Sequence, residues 1–294
     1  YYLQFRDFYL LYQDKFYNGV IMDSSEFGFG KFSKNDFYGT INERLIDMAE
    51  LGSNQKIIEL ACATGGVTKL ILDRLKDAKD SVVIAIDHSA SALKQAMKDI
   101  NGRGDSVVEF VQSQVEQIPE TIKGSAADVV IFCNAIHYIS DKNVLAIDIF
   151  NALKPGGKFV FNTSFYDGGQ PEDSLLFYRK WMFKSLRALR KDYQLRPDAS
   201  QKVESRKQLN PTEYTEILES NGFQVVQQIE DRVQVPIDGW LDISEFEDFI
   251  QGTMPGVDMQ AASNSLKKGV HATFEEMKVS TIPRNWMRVV AVKV

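Results

Sequence analysis

The chain has 294 residues, of which 44% are hydrophobic and 25% are charged, a composition typical of a soluble globular protein. Its formal net charge of −6 argues against nucleic acid or an anionic membrane as the main partner, since either would favour a basic surface. No apolar run approaches the roughly 20 residues of a membrane helix, and no signal-peptide pattern is visible. Two cysteines in apolar strand-end contexts, Cys62 and Cys133, predict a reduced cytoplasmic protein without disulfides or a bound metal.

The N-terminal part of the chain is rich in aromatic residues: the first 40 positions hold 13 of the 33. Five of them, at helical spacing, predict an amphipathic helix: Phe5, Phe8, Tyr9, Tyr12 and Phe16. Most of this stripe is expected to pack on the rest of the protein, while some of it, with "FGFGKF" at 27–32, is expected to line a substrate cavity. We therefore predict a helical and aromatic cap over residues 1–45. Its substrate-binding candidates are Tyr12, Tyr17 and Phe29.

Between residues 46 and 166, apolar runs alternate with amphipathic stretches in a regular order. Runs that are apolar on both faces predict buried strands, and the stretches between them predict helices. The predicted strands are 57–60, 82–87, 107–113, 127–134 and 158–164, and the predicted helices are 67–76, 89–100 and 143–153. This alternation indicates an α/β fold in which helices cover both faces of a mostly parallel sheet.

The rest of the chain departs from this alternation in two places, 167–210 and 236–282. Both segments contain amphipathic stretches, and we predict that they form helical caps. Residues 211–294 otherwise complete the core, with a helix ended by Gly222, a strand after it, and a last strand-like run at 284–294. Whether the 236–282 insertion closes over a substrate or forms a dimer contact stays open at this stage.

The 167–210 cap carries both aromatic and basic residues on predicted helical faces. Phe177 and Trp181 are candidates for a largely apolar substrate pocket, and core packing would explain them equally well. One predicted face of this helix carries four basic residues: Lys180, Lys184, Arg187 and Lys191. A solvated helix surface accounts for them most simply. The alternative is attraction of a carboxylated or phosphorylated substrate, or of an acidic carrier protein.

The segment "KIIELACATGGVT", residues 56–68, predicts a ligand-binding loop. In an open parallel sheet, ligands bind beyond the carboxyl ends of the strands, and this loop follows the first strand directly. Small residues let the backbone approach a ligand, and the following helix offers free N–H groups. Asp87 ends the second strand, where a carboxylate accepts hydrogen bonds from two ribose hydroxyls. Its alternative role is a helix cap or a solvated loop acid.

Two details of the loop separate nicotinamide enzymes from S-adenosylmethionine enzymes. The dinucleotide fingerprint needs glycines for a tight turn and close approach to a pyrophosphate, but Ala61 and Ala63 occupy the first two of those positions. Glu59 lies at the end of the strand, where an acid repels phosphate and favours a cationic amino acid moiety. The loop therefore favours S-adenosylmethionine over a dinucleotide.

Five segments in order resemble class I S-adenosylmethionine-dependent methyltransferases of the small-molecule type. They are "IIELACATGG", "VIAIDHSASAL", "FVQSQVEQIP", "DVVIFCNAIHYISD" and "ALKPGGKFVFNTSF". The later "GFQVV" and "RNWMRVVAVK" resemble the last two strands of that fold. The resemblance implies a Rossmann-like sheet of seven mostly parallel strands whose last strand is antiparallel. It also implies S-adenosylmethionine as cofactor and S-adenosylhomocysteine as product.

The resemblance assigns roles to individual positions. Around the methionine part of the cofactor it places Glu59, Ala61, Ala63, Thr64 and Gly65. Asp87 resembles the ribose acid, with His88 and Ser89 beside the adenine. Three further residues resemble the adenine-side loop: Ser113, Gln114 and Val115. Gln114 stands where many members have an acid, although its carbonyl can still accept a hydrogen bond from the adenine amino group. Asn134 resembles the residue that faces the methionine portion.

His137, just past the fourth predicted strand, is the candidate catalytic residue. It is placed to assist deprotonation of an acceptor hydroxyl if the reaction requires it. The alternative is a histidine that packs or hydrogen-bonds beneath the cofactor, which we favour.

We predict a methyltransferase that acts on an O, N or C centre of a small, largely apolar or amphipathic molecule. An N-P-P-Y or D-P-P-Y motif, typical of enzymes that methylate amide nitrogens or nucleic-acid bases, is replaced here by "NAIH". Two alternatives remain at this stage. One is a nicotinamide oxidoreductase, and the other is a protein that keeps the cofactor fold without catalysis.

Overall fold

The computed structural model describes residues 27–100, 107–115, 126–201 and 208–294. Within them, seven strands form one sheet in the order β3-β2-β1-β4-β5-β7-β6. The strands are β1 (Lys56–Leu60), β2 (Val82–Asp87), β3 (Val107–Gln112), β4 (Ala127–Cys133), β5 (Leu153–Thr163), β6 (Phe223–Pro236) and β7 (Thr281–Lys293). The first five pair in parallel, while β7 runs antiparallel to both of its neighbours, β5 and β6. The predicted fold class is therefore confirmed.

The described helices cover the sheet and build a cap beside it. They are α1 (Asp36–Ala49), α2 (Gly66–Arg74), α3 (Ala90–Ile100), α4 (Lys142–Ala152), α5 (Leu175–Ala188), α6 (Pro211–Ser220), α7 (Ile237–Ile243), α8 (Glu247–Thr253) and α9 (Met259–Met277). Local sequence signals fix several of their starts. Asp141 caps α4 by accepting hydrogen bonds from two backbone amides, and Asn210 and Glu213 form a reciprocal capping box at α6. None of the described helices combines the length and apolarity that a bilayer-spanning helix needs.

The two faces of the sheet are covered by separate apolar clusters. One contains Phe132, Phe159 and Phe161 with helices α4 and α6, and the other contains Ile57, Val83 and Val160 with α1 and α2. Buried strands explain why the sequence shows continuous apolar runs instead of alternation.

A third cluster lies in the cap and belongs to α5, α7, α8 and α9, with Trp286 and Ile282 from β7. The 236–282 insertion connects β6 to β7. Its two ends are held next to each other, because Pro236 and Thr281 form the last residue pair between these two strands. Both irregular segments contain helices, as predicted, while their role as substrate caps remains a prediction. Helices α5 and α9 meet closely at Gly269, where a Cβ would lie 2.0 Å from the Ser185 hydroxyl.

Two sequence-based expectations need correction: the boundary of the N-terminal cap, and the assignment of Phe177 and Trp181 to a substrate pocket. The boundary at residue 45 falls inside α1, since Ile41 packs in the cap while Leu45 and Ile46 pack under the sheet. Phe177 and Trp181 are 0% exposed and form the interior of the cap, so neither can touch a substrate in this structure. Helical spacing identified them as inward-facing, but it could not distinguish a packed core from a cavity wall.

Candidate active site

The loop after β1 has an unusual backbone for its sequence. Ala61, Ala63 and Gly65 all have positive φ, of 53°, 48° and 80° respectively. Glycine normally fills such left-handed positions, because a Cβ raises the energy of this conformation. The alanines therefore occupy glycine-like backbone positions and keep the geometry of a glycine loop. Ala63 and its neighbour Thr64 are exposed on the open side of the loop.

Gly65 requires glycine for a second reason. A Cβ at this position would lie 3.0 Å from Ala96 Cβ and 2.9 Å from Ile100 Cδ1. Both of those residues belong to α3, so the loop packs tightly against the helix that follows β2. The predicted glycine position thus links the loop to the second βα unit.

Asp87 lies buried at the end of β2, next to the loop. Its Oδ2 accepts a hydrogen bond from the Ala63 amide at 2.8 Å, and its Oδ1 accepts one from the Ser89 amide at 2.8 Å. Each carboxylate oxygen has two lone pairs, so Oδ2 keeps capacity for a further donor such as a ribose hydroxyl, while Oδ1 also lies 3.4 Å from His88 Nδ1. Asp87 therefore orders the loop and still has the acceptor chemistry that a ribose site needs.

Glu59 lies beneath the loop and not on its open face. It is 2% exposed, and the Thr68 hydroxyl donates to its Oε2 at 2.6 Å. Burial, reinforced by the nearby Asp87 carboxylate, raises the pKa of Glu59 to about 8. Any influence on a cationic ligand must act through the loop, which is less direct than the sequence suggested. Thr68, its partner, carried no signal in the sequence.

The adenine-side candidates gather around the end of β3. The Ser113 amide donates to the Asp87 carbonyl at 3.0 Å, and Gln112 Nε2 donates to the His88 carbonyl at 3.2 Å. The structure thus brings the 113–115 segment beside Asp87, His88 and Ser89. His88 and Gln114 are exposed, while Ser113 and Val115 are half-buried. The contact of these residues with a cofactor remains a prediction.

Asn134 follows β4 in a left-handed conformation, with φ of 51°, and its side chain contacts three other side chains. Its Oδ1 accepts from Trp286 Nε1 at 2.7 Å, and its Nδ2 lies 3.1 Å from both the Tyr38 hydroxyl and Asn42 Oδ1. Asn162 joins the same network by donating to Asn42 Oδ1 at 3.0 Å and accepting from the Asn134 amide at 2.8 Å.

This network ties α1, β4, β5 and β7 together at the carboxyl edge of the sheet. Burial raises the pKa of the Tyr38 hydroxyl, so it stays protonated at neutral pH. Both N–H groups of the Asn134 side chain are therefore used by protein partners, while its Oδ1 keeps capacity for one further donor. Sequence reasoning missed Tyr38, Asn42, Asn162 and Trp286. An asparagine within the apolar run "KFVFNTS" was the one visible signal.

His137 lies in a short 3-10 turn, Ile136–Tyr138, at the same edge of the sheet. It is buried, its ring stacks on Phe165 at 4.6 Å, and its Nδ1 lies 3.5 Å from the Thr163 hydroxyl. These contacts hold the imidazole in one orientation between β4 and β5. Such an environment fits the packing role that the sequence favoured.

The remaining substrate candidates divide by position. Phe29 is half-buried and packs on Phe32, Tyr38 and Phe246, with ring centroids between 5.1 and 5.5 Å apart. Its neighbour Tyr38 connects it to the Asn134 network. Tyr12 and Tyr17 lie outside the described residues. In the described ranges, no group of three or more histidines, cysteines and acids is arranged to hold a metal ion.

Taken together, these groups form a ligand site with acidic character. Asp87 lies buried beside the loop, whereas Glu59 beneath it has a pKa raised to about 8 and is mostly protonated at neutral pH. Lys69, the first cation after the loop, pairs with Asp99 at 3.3 Å. A pyrophosphate would therefore meet the Asp87 carboxylate while the nearest following cation is already paired. A ligand with a ribose and a cationic amino acid moiety suits this set of groups better.

Comparison with known proteins decides the family. A family model described as a methyltransferase domain matches residues 51–222, which is more than half of the chain. The chain belongs to the methyltransferase-domain family. The matched span begins just before β1 and ends before β6, so it contains the loop, Asp87 and the β4 and β5 edges described above. The cap from α7 to α9 lies outside it.

Individual methyltransferases resemble this chain only in part. It is 27% identical over 163 residues to phosphoethanolamine N-methyltransferase 1 of Triticum aestivum. This alignment covers 55% of this chain and 31% of that protein. It is 30% identical over 142 residues to a malonyl-[acyl-carrier protein] O-methyltransferase of Acetivibrio thermocellus, covering 46% and 47%. The alignments thus span less than half of each of these two relatives.

A solved methyltransferase structure shows the same fold. A Haemonchus contortus phosphoethanolamine N-methyltransferase 2, in complex with phosphomonomethylethanolamine and S-adenosylhomocysteine, has a TM-score of 0.56 and 18% identity. The similarity covers 92% of this chain and 57% of that one.

Proposed function

We propose that this methyltransferase transfers a methyl group from S-adenosylmethionine to an O, N or C centre of a small, largely apolar or amphipathic molecule. The observation that carries the proposal is the donor and acceptor set at the carboxyl edge of β1 and β2. Asp87 offers acceptor capacity for ribose hydroxyls, and Lys69, the first cation after the loop, is already paired with Asp99 and so is not available to balance a pyrophosphate. When bound, S-adenosylmethionine supplies an electrophilic methyl group on a positively charged sulfur.

The chain's own residues bind and orient in this proposal. Asp87 accepts from the ribose hydroxyls, and its contacts with the Ala63 and Ser89 amides keep the loop and the turn after β2 in register. The left-handed loop residues bring the backbone close to the methionine part. On the adenine side the proposed contacts are His88, Ser89, Ser113, Gln114 and Val115.

Positioning of the acceptor is the remaining requirement for methyl transfer. An in-line approach to the methyl group is worth several kcal/mol when the reactants are held in register and water is excluded. The Asn134 network fixes the end of β4, and stacked His137 and Phe165 fix the neighbouring surface above β5. We assign His137 to this packing and not to proton abstraction.

The experiment is methyl transfer from S-adenosylmethionine labelled in its methyl group to a panel of phenols, carboxylic acids and amines. We expect label in at least one acceptor and equal release of S-adenosylhomocysteine. The Asp87→Asn variant should weaken S-adenosylhomocysteine binding about 10- to 100-fold, because a charged hydrogen bond contributes about 1.5–3 kcal/mol.

Asp77→Ala removes an exposed acid with no ion pair among the described residues and serves as the control, so it should bind normally. The proposal is wrong if Asp87→Asn and Asp77→Ala bind S-adenosylhomocysteine equally well. Failure to label any acceptor despite tight cofactor binding would instead favour a protein that keeps the cofactor fold without catalysis.

A further inference from the structure

The outer face of α5 carries an exposed row of apolar and cationic side chains. Leu176, Phe183 and Leu186 are 54%, 67% and 42% exposed. Arg179 and Arg187 are exposed at matching helical positions, so the spacing from Leu176 is 3, 7, 10 and 11 residues. The opposite face is buried in the cap. We call this row, together with Arg190 and Lys191 beyond it, the α5 stripe.

The stripe continues past the end of the α-helix. Residues Leu189–Tyr193 form a π-helical turn, in which Arg190 and Lys191 are exposed. The two cations line one open depression together with Phe183, Leu186 and Arg187. Apolar and cationic groups therefore share a single continuous surface.

The cations of the stripe have no acidic partner among the described residues. No carboxylate lies within 4.0 Å of Arg179, Arg187, Arg190 or Lys191 in the part of the chain that the structure describes. Other cations on and near α5 are paired. Lys184 contacts Glu276 at 2.6 Å, with Lys180 on the same carboxylate, and Lys268 contacts Asp192 at 2.6 Å.

This pattern separates the basic residues of α5 into two groups. Lys180 and Lys184 hold the cap together through Glu276 on α9. The arginines of the stripe make no such contact with the described part of the chain, and a positive cluster on a chain with a net charge of −6 is not a consequence of overall composition. Exposed aromatic and arginine side chains are also the types enriched in protein interfaces.

We propose that the α5 stripe is a docking site for an acidic amphipathic helix of a partner protein. Leu176, Phe183 and Leu186 supply apolar anchors at the spacing with which a facing helix would present its own. Arg179 lies between these anchors along the helix and Arg187 follows them. The partner helix would therefore need acidic and apolar side chains in alternation on the face that binds. Charge complementarity would speed association and favour acidic partners over others.

The arrangement fits a protein better than an anionic membrane. A helix that lies in a membrane keeps its apolar side chains on one face and its cations on the flanks. Here Arg179 and Arg187 lie on the same line as Phe183, and embedding the apolar groups would bury the charges with them. The acidic balance of the whole chain would also oppose an anionic bilayer.

The test uses a synthetic peptide of roughly 20 residues with leucine and glutamate at helical spacing, long enough to form a helix on binding. A fluorescein label reports binding by anisotropy. We expect a dissociation constant below about 100 µM, weakening as salt is raised, and no binding by the same peptide with lysine in place of glutamate.

Two variants locate the binding surface. Arg187→Glu with Arg190→Glu should weaken peptide binding at least tenfold, and Phe183→Ala should weaken it independently of charge. Lys94→Glu with Lys98→Glu makes the same charge change on the exposed face of α3 and should leave binding unchanged. All of these positions are exposed, so circular dichroism should show the folded protein in each case.

Three results would overturn the docking site. They are no peptide binding at about 1 mM, equal loss in the α3 control, and binding to phosphatidylglycerol vesicles in place of the peptide. The last would assign the stripe to a membrane surface. None of these measurements depends on methyl transfer, so their failure leaves the proposed function intact.

Discussion

Removal of the Asn134 side chain should cost far more stability than its position at a strand end suggests. In Asn134→Ala, the Trp286 indole N–H loses the acceptor that it contacts at 2.7 Å in a buried site. A buried polar group left without a partner costs about 1–3 kcal/mol. Alanine also tolerates the left-handed backbone at φ of 51° less well than asparagine, by about 1 kcal/mol. We expect the free energy of unfolding to fall by about 2–4 kcal/mol.

Asn54 provides a matched control for this prediction. It also has a left-handed backbone, with φ of 57°, but its side chain is exposed and makes no hydrogen bond in the described residues. Asn54→Ala should therefore report the backbone contribution alone, about 1 kcal/mol. Urea denaturation, monitored by circular dichroism, gives both free energies of unfolding. The dependence of the free energy on urea concentration should have the same slope in both variants. Equal losses in Asn134→Ala and Asn54→Ala would refute the view that the network stabilises this edge.

A double-mutant cycle isolates the contact itself. Trp286→Phe removes the indole donor while keeping an aromatic ring, so the Asn134 acceptor is left without it. If the two side chains interact as the structure shows, the double variant should be more stable than the sum of the single losses predicts, by about 0.5–3 kcal/mol. Additive losses would mean that the indole and the amide do not cooperate.

Three further predictions concern single residues at the site. Folding raises the Glu59 pKa from 4.5 to about 8, so protonated Glu59 stabilises the fold fully below about pH 4.5 and this contribution is lost as pH rises through 8. Urea midpoints should therefore fall between pH 5 and 9 in the wild type and stay flatter in Glu59→Gln; parallel curves would contradict the raised pKa. Ala63→Gly should stabilise the unliganded protein by about 0.5–1 kcal/mol by relieving the left-handed alanine, whereas Ala90→Gly at the start of α3 should destabilise it. His137→Ala should keep near-normal kcat at saturating substrates, as should His271→Ala on α9; a loss of about 100-fold confined to His137→Ala would assign the base role instead.

The sheet was predictable because its physical cause is local. Buried parallel strands require apolar residues on both faces, and the sequence shows those runs at regular intervals. Segments with this pattern, such as 82–87 and 127–134, match the observed strands within one residue. The position of Asp87 followed from its place at the end of one such strand.

The network around Asn134 was not predictable from local patterns. Its members come from α1, β4, β5 and β7 and meet only in the folded sheet. The same limit applies to Phe177 and Trp181, because a helical spacing tells which face is buried but not what covers it. Likewise, the alanines at 61 and 63 gave no sign of their left-handed backbone, which the contacts of Asp87 help to impose.

Isothermal titration calorimetry with S-adenosylhomocysteine and NADH tests the central assignment most directly. We expect one binding site for S-adenosylhomocysteine, weakened in Asp87→Asn and unchanged in Asp77→Ala, and no binding of NADH. Binding of NADH together with no binding of S-adenosylhomocysteine would show that the assignment is wrong, because the loop between β1 and α2 would then accept a pyrophosphate beside the Asp87 carboxylate.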